Sequence, residues 1–152
     1  MKPLIVLISV FGVSLVILRL LRGNWQFAPA ARVAMAAMLV FTSIAHFMFV
    51  KGMSMMLPDF IPFKNMVIYA TGVLEIAAAI GLLIVKLRVK TAWFLIVFFI
   101  LILPANIYAA QQHIDYQHGT SGGPGLGYLW FRIPLQLLFI AWVYLAGVRS
   151  KD

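Results

Sequence analysis

The sequence predicts an all-α membrane helical bundle, and three observations predict it. Of the residues, 64% are hydrophobic and only 11% are charged, with a mean hydropathy of +1.02, whereas an ordinary soluble domain carries roughly 25% charged residues. The apolar residues gather into runs at 4–21, 33–50, 66–85, 91–110 and 128–147, each close to the length of about 20 residues that a helix needs to cross hydrocarbon. Charges and turn-forming residues fall between the runs, in 22–32, 51–65, 86–90 and 111–127.

The first run follows Lys2 and precedes Arg19 and Arg22. Ala28-Pro29-Ala30 loosely resembles a signal-peptide cleavage site. The apolar stretch is long and that site lies well beyond its end, so a retained helix is expected. With five spans, Lys2, Lys51, Lys64 and Arg132 share one side. Arg19, Arg22, Arg32, Lys86, Arg88, Lys90, Arg149 and Lys151 share the other. The positive-inside rule makes the second side cytoplasmic and places the amino terminus outside, in a bacterial cytoplasmic (inner) membrane. The formal charge of +8 therefore serves topology. No basic stripe interleaved with aromatics points to nucleic acid, which is excluded as a partner, and the lipid bilayer is the expected one.

The second run carries Thr42 and His46 at i, i+4, so hydroxyl and imidazole share a face. His46 lies about one turn inside Lys51. A single histidine is no metal centre, and no metal site is assigned. The following stretch, KGMSMMLPDFIPF, places Met53, Met55 and Met56 near His46, soft donors of the kind that suit Cu(I). Methionine is equally expected in an interfacial segment. Pro58 and Pro62 predict an extended cap over the bundle.

The third run carries Glu75 near the midplane, with Gly72 and Ala79 on its face. An ionisable residue inside a span is a functional-site hypothesis by default. An ion pair with Arg132 is the expected structural partner. In the fourth run, ILILPANIYAA, Pro104 cannot donate a backbone hydrogen bond and displaces the carbonyl of Ile100, while Asn106 brings an amide into hydrocarbon. The loop QQHIDYQHGTSGGPGLG has no strand before it, so its glycines are not a phosphate cradle. It reads as a flexible connection or as a lid using His113, Asp115 or His118. The fifth run delivers Arg132 about one turn inside Tyr128 and Gln136 one turn further on the same face. Pro134 sits close enough to the helix start to be tolerated.

The motifs IAHFMF, PDFIP, YATGVLEIAAAIGLL, PANIYAA and FRIPLQ, in that order from Arg32 to the last span, resemble the DoxX-like family of small membrane proteins. The resemblance implies a four-helix core over 32–152, with 1–31 as an added N-terminal transmembrane helix and its connection. It carries over to His46, Glu75, Asn106 and Arg132, each of which lies inside a matching motif. It also implies that PANIYAA is a break in the helix, bringing Asn106 and the free Ile100 carbonyl into one interior polar site. The family includes subunits of quinone-linked sulfur and terminal oxidase systems in archaea, maturation proteins and, distantly, receptor chaperones. A chain with no cysteine cannot handle disulfides through its own thiols.

Two functions follow, and a third is weaker. The first is a redox-associated subunit in which His46, Glu75, Asn106, Arg132 and Gln136 surround a quinone-like or apolar ligand, beside a redox-enzyme partner. The second is a non-enzymatic assembly factor or chaperone for a client membrane protein, in which the polar cluster only fixes the bundle. The third is copper handling. No catalytic residue is assigned, because only Thr42 and His46 set a hydroxyl near a base, with no third orienting group at a known position.

Overall fold

The structure is a computed structural model and describes residues 2–150. Helix α1 spans Lys2–Arg22, α2 Phe27–Met48, α3 Val50–Met55, α4 Lys64–Leu83, α5 Arg88–Gln111 and α6 Leu129–Val143. A 3-10 turn, Gly125–Tyr128, leads into α6, and a π turn, Tyr144–Arg149, continues it. Among the described residues there is no strand beyond a single bridge between Asp115 and Thr120. Five of these segments are long and apolar enough to cross a membrane, the last running from Gly125 to Arg149. With a rise of 1.5 Å per residue they reach about 30 to 37 Å, the thickness of the hydrocarbon layer.

The helices start and stop close to where the hydrophobic runs do. The largest difference is α2, which begins at Phe27 and not at residue 33. Pro29 falls in its first turn, where the missing N–H costs no bond. The stretch after α2 is not wholly extended either: α3 forms before Pro58 and stops short of it, as the constraint on a residue preceding proline requires.

Short connections between α1 and α2 and between α4 and α5 force antiparallel neighbours. Helix α2 is central, packing most extensively against α4 and α1. The core joins Met35, Met38 and Leu39 of α2 to Ala78, Ala79 and Leu82 of α4, Leu95 and Phe99 of α5, and Leu135, Phe139 and Val143 of α6. Small residues set the helix separations, as in membrane bundles generally. A Cβ on Gly147 would fall 2.6 Å from that of Ala92, and one on Gly81 would strike Thr91. Helix α1 is the outlier. Of its residues only Leu7 is buried, and Phe11 ties it to α6 by an edge-on contact with Trp142 at 5.0 Å.

One end of the bundle gathers Arg22, Arg32, Lys86, Arg88, Lys90 and Arg149. There, Ser150 receives Arg32 on its hydroxyl at 3.4 Å and Arg88 on its carbonyl at 2.9 Å, which closes the start of α2 and of α5 onto the end of the last span. This is the basic end. The opposite, loop end carries α3 and the connection 112–124.

The fourth long helix corrects one expectation. Pro104 lies inside α5, and α5 runs through it without a break. The reason lies in the side chains around it. Gln136 on α6 donates its amide to the Phe99 carbonyl at 2.6 Å, next to the carbonyl that proline orphans. Asn106 donates to the Ile102 carbonyl at 3.0 Å. Gln136 from the neighbouring helix and Asn106 from α5 itself thus set amides on the turn around the proline, and nearby polar groups of this kind accompany proline in membrane helices. The Ile100 side chain is exposed on the outer surface, whereas Asn106 is buried.

Candidate functional site

Two matched pairs of side chains face each other across α2 and α4. Thr42 and His46 stand four residues apart on α2, Thr71 and Glu75 four apart on α4, so each pair occupies one face. The pairs meet crosswise. Thr42 Oγ1 lies 2.9 Å from Glu75 Oε2, and Thr71 Oγ1 lies 3.1 Å from His46 Nδ1. Between them His46 Nε2 and Glu75 Oε1 are 3.6 Å apart, too far for a hydrogen bond and within reach of an ion pair. The glycine in the same motif makes the approach possible, since a Cβ on Gly72 would sit 2.9 Å from that of His46. Ser43, buried beside it, fixes the register by donating to the Gly72 carbonyl at 2.9 Å.

This quartet forms one wall of a cavity of about 680 Å³, within the range of roughly 300–1,000 Å³ usual for small-molecule sites. Toward the bundle middle the cavity is apolar, lined by Met38, Phe98, Phe99, Leu135 and Phe139. Toward the loop end it is polar. Asn106 borders it from α5, and Arg132 and Gln136 border it from α6. Phe41, Ile44 and Met48 line it as well and are exposed, so it reaches the outer surface along α2, beside Lys2 and Pro3 of α1.

The five residues expected at the site all line this one cavity, but the expected pairing of Glu75 with Arg132 does not form. Glu75 is held by Thr42 and faces His46, because α2 and α4 are pressed together at Gly72 while Arg132 comes from α6, which supplies another wall. Arg132 is half-buried, its Nε is enclosed without a hydrogen-bond partner, and no ion pair engages it among the described residues. It is a fixed cation facing a cavity. Gln136, in contrast, is almost wholly buried with its amide nitrogen committed to Phe99, and it ties α6 to α5.

The connection 112–124 folds over the loop end and closes part of the cavity through Asp115 and Tyr116. Asp115 accepts from the Gln117 and His118 backbone and lies 2.7 Å from His118 Nδ1. The His118 hydrogen bond is the main cause that holds its carboxyl below the ordinary 3.8. Tyr116 seats on α3 at Gly52, where any Cβ would strike the Tyr116 carbonyl, and its ring meets Phe49 edge-on. His113 packs beneath Gly125, whose φ of +65° suits glycine. Of the loop methionines, Met53 and Met56 border the cavity. No group of three His, Asp or Glu side chains converges as a metal-ligand set among the described residues.

The family described as a domain of unknown function, DUF8561, matches residues 35–146. The chain belongs to that family. The DUF8561 stretch contains the whole quartet, Asn106, Arg132, Gln136 and the lid, and leaves out α1. No curated protein and no solved structure matches the chain.

Thr71 is the site residue that reading the sequence missed. Its signal was present: the spacing Thr71 to Glu75 on one span duplicates Thr42 to His46 on another. The aromatic floor of Phe98, Phe99 and Phe139 carried no such signal, since the fourth and fifth runs are rich in such residues throughout.

Proposed function

We propose that this chain is a DoxX-like multi-pass protein of a bacterial cytoplasmic membrane, with its amino terminus outside and its basic end cytoplasmic, that binds a small quinone-like molecule in the outer half of the bundle as a redox-associated subunit. One observation carries the reading: a cavity of about 680 Å³ with an apolar interior and, at its polar end, an arginine whose enclosed Nε has no partner and that no ion pair engages among the described residues. A lone guanidinium in such a setting is costly unless an acceptor joins it. A quinone supplies carbonyl oxygens for Arg132 and for the amide of Asn106, while its tail lies against Met38, Phe98 and Phe139. The exposed stripe of Phe41, Ile44 and Met48 gives a lipid-dissolved molecule a side entrance, so it need not pass through water.

The test uses the purified full chain in mild detergent with decylubiquinone as probe. The quinone should raise the melting temperature of the wild type. It should leave Arg132→Met unmoved, and that variant should itself melt no lower than the wild type, because it removes an unpaired charge. A wild type indifferent to the quinone overturns the reading and leaves the assembly factor as the better account.

A further inference from the structure

The quartet on α2 and α4 poses a problem of proton number. Each threonine hydroxyl has one proton to give, and each lies within hydrogen-bonding distance of a carbonyl of its own helix. Thr42 is 3.0 Å from the Leu39 carbonyl, and Thr71 is 2.8 Å from that of Ile68. If Thr71 donates there, its oxygen accepts from His46 Nδ1–H. A neutral imidazole would then turn the lone pair of Nε2 toward Glu75 Oε1 at 3.6 Å. Thr42 is placed to donate to Glu75 Oε2 at 2.9 Å, which suits a carboxylate oxygen there. Between Nε2 and Oε1 a single proton can then be shared, held either as imidazolium facing carboxylate or as imidazole facing carboxylic acid. Both forms have zero net charge. Their side chains are only 18% and 6% exposed, where an uncompensated charge is expensive.

We propose that His46 and Glu75 together form a proton-binding site in the cavity wall, and that an acceptor-only head group binds with uptake of one proton by this pair. The inference rests on the ligand reading above and adds to it. A carbonyl oxygen arriving beside a bare carboxylate is repelled; beside the protonated pair it meets a neutral partner. The proton comes from water at the loop end, resides on Nε2 or on a carboxyl oxygen, and returns when the ligand leaves. No electron moves. The other titratable or charged groups facing the pair across the cavity are Lys2 from α1, Asp115 and Tyr116 from the lid, and Tyr128 and Arg132 from the start of the last span. Helix α5 contributes only the neutral Asn106, and α3 no titratable group.

Two measurements on the full chain in detergent test this. Calorimetric titration with decylubiquinone, in buffers of different ionisation enthalpy, counts protons bound with the probe. Once the pair has lost its proton, the wild type should take up about one per quinone, with affinity falling about tenfold per pH unit. Glu75→Gln, which keeps a polar partner for Thr42, should bind with no proton uptake and no such slope. His46→Gln serves as the second variant should Glu75→Gln fail to fold. Infrared titration without any quinone is the other arm: the wild type should show a pH-dependent band, of the Glu75 carboxyl or of the His46 ring, that is absent from Glu75→Gln or from His46→Gln respectively. Quinone bound by the wild type without a linked proton overturns the proton site and leaves the ligand reading standing. If the quinone does not bind, the ligand reading fails. The infrared band then decides the pair alone: its presence upholds a proton site, and its absence overturns it.

Discussion

Gln136 shows how much one side chain decides here. Its amide crosses from α6 to the Phe99 carbonyl at 2.6 Å, one residue from the carbonyl that Pro104 leaves without a donor. Asn106 makes a similar bond, but to its own helix at Ile102, so its loss leaves no neighbouring helix short of a partner. The two variants should therefore differ. Gln136→Leu should cost about 0.5 to 1.5 kcal/mol through the lost hydrogen bond between α6 and α5, toward the lower end because an unfolded chain in detergent or lipid finds other partners. Asn106→Leu should cost less than Gln136→Leu. Equilibrium unfolding in detergent measures both, and the reverse order would show that Asn106 and not Gln136 holds the proline turn together.

Among the elements, the lid carries a carboxylate that its hydrogen bonds hold in the ionised form. Residues 115–120 close on Asp115, which accepts from two backbone amides and from His118, and that bonding lowers its carboxyl from 3.8. A carboxylate whose folded value is depressed contributes stability above its unfolded value and loses it as pH falls through the folded one. The turn should thus stay closed from neutral pH down to below 3.8 and open only in stronger acid. A spin label at Gln117 should report constant mobility over that range, while Asp115→Ala should free the label at neutral pH. Mobilisation of the wild-type label already near neutrality would mean that another group closes the turn. The helices themselves behave differently. Helix α6 bonds α5 through Gln136 one residue from the carbonyl that Pro104 orphans, and α2 and α4 approach closely because Gly72 has no side chain.

For the molecule as a whole, the division into a basic end and a loop end is its main asymmetry. The orientation proposed from the positive-inside rule would set Gln117 outside and Lys86 on the cytoplasmic side. The chain has no cysteine, so single cysteines report without background. Gln117→Cys in intact cells should react with an impermeant thiol reagent, and Lys86→Cys only after lysis. The opposite pattern would turn the bundle over and put the cavity in the cytoplasmic half.

The spans, their approximate ends and the identity of the polar residues inside them were legible in the sequence. An apolar run of membrane length bounded by charges has few other places to go, and a carboxylate or guanidinium within it must turn inward. His46, Glu75, Asn106, Arg132 and Gln136 accordingly line one cavity. Which of them touch each other was not legible. That depends on how each helix is rotated and how closely it approaches its neighbours, set here by Gly72 against His46 and by Ser43 on the Gly72 carbonyl. So Glu75 pairs with Thr42 and His46, and Arg132 is left to the cavity. The continuity of α5 was hidden for the same reason. Proline removes a donor locally, whereas Gln136, whose amide bonds the adjacent Phe99 carbonyl, lies 37 residues from Phe99 on α6, and only the packed bundle brings it there.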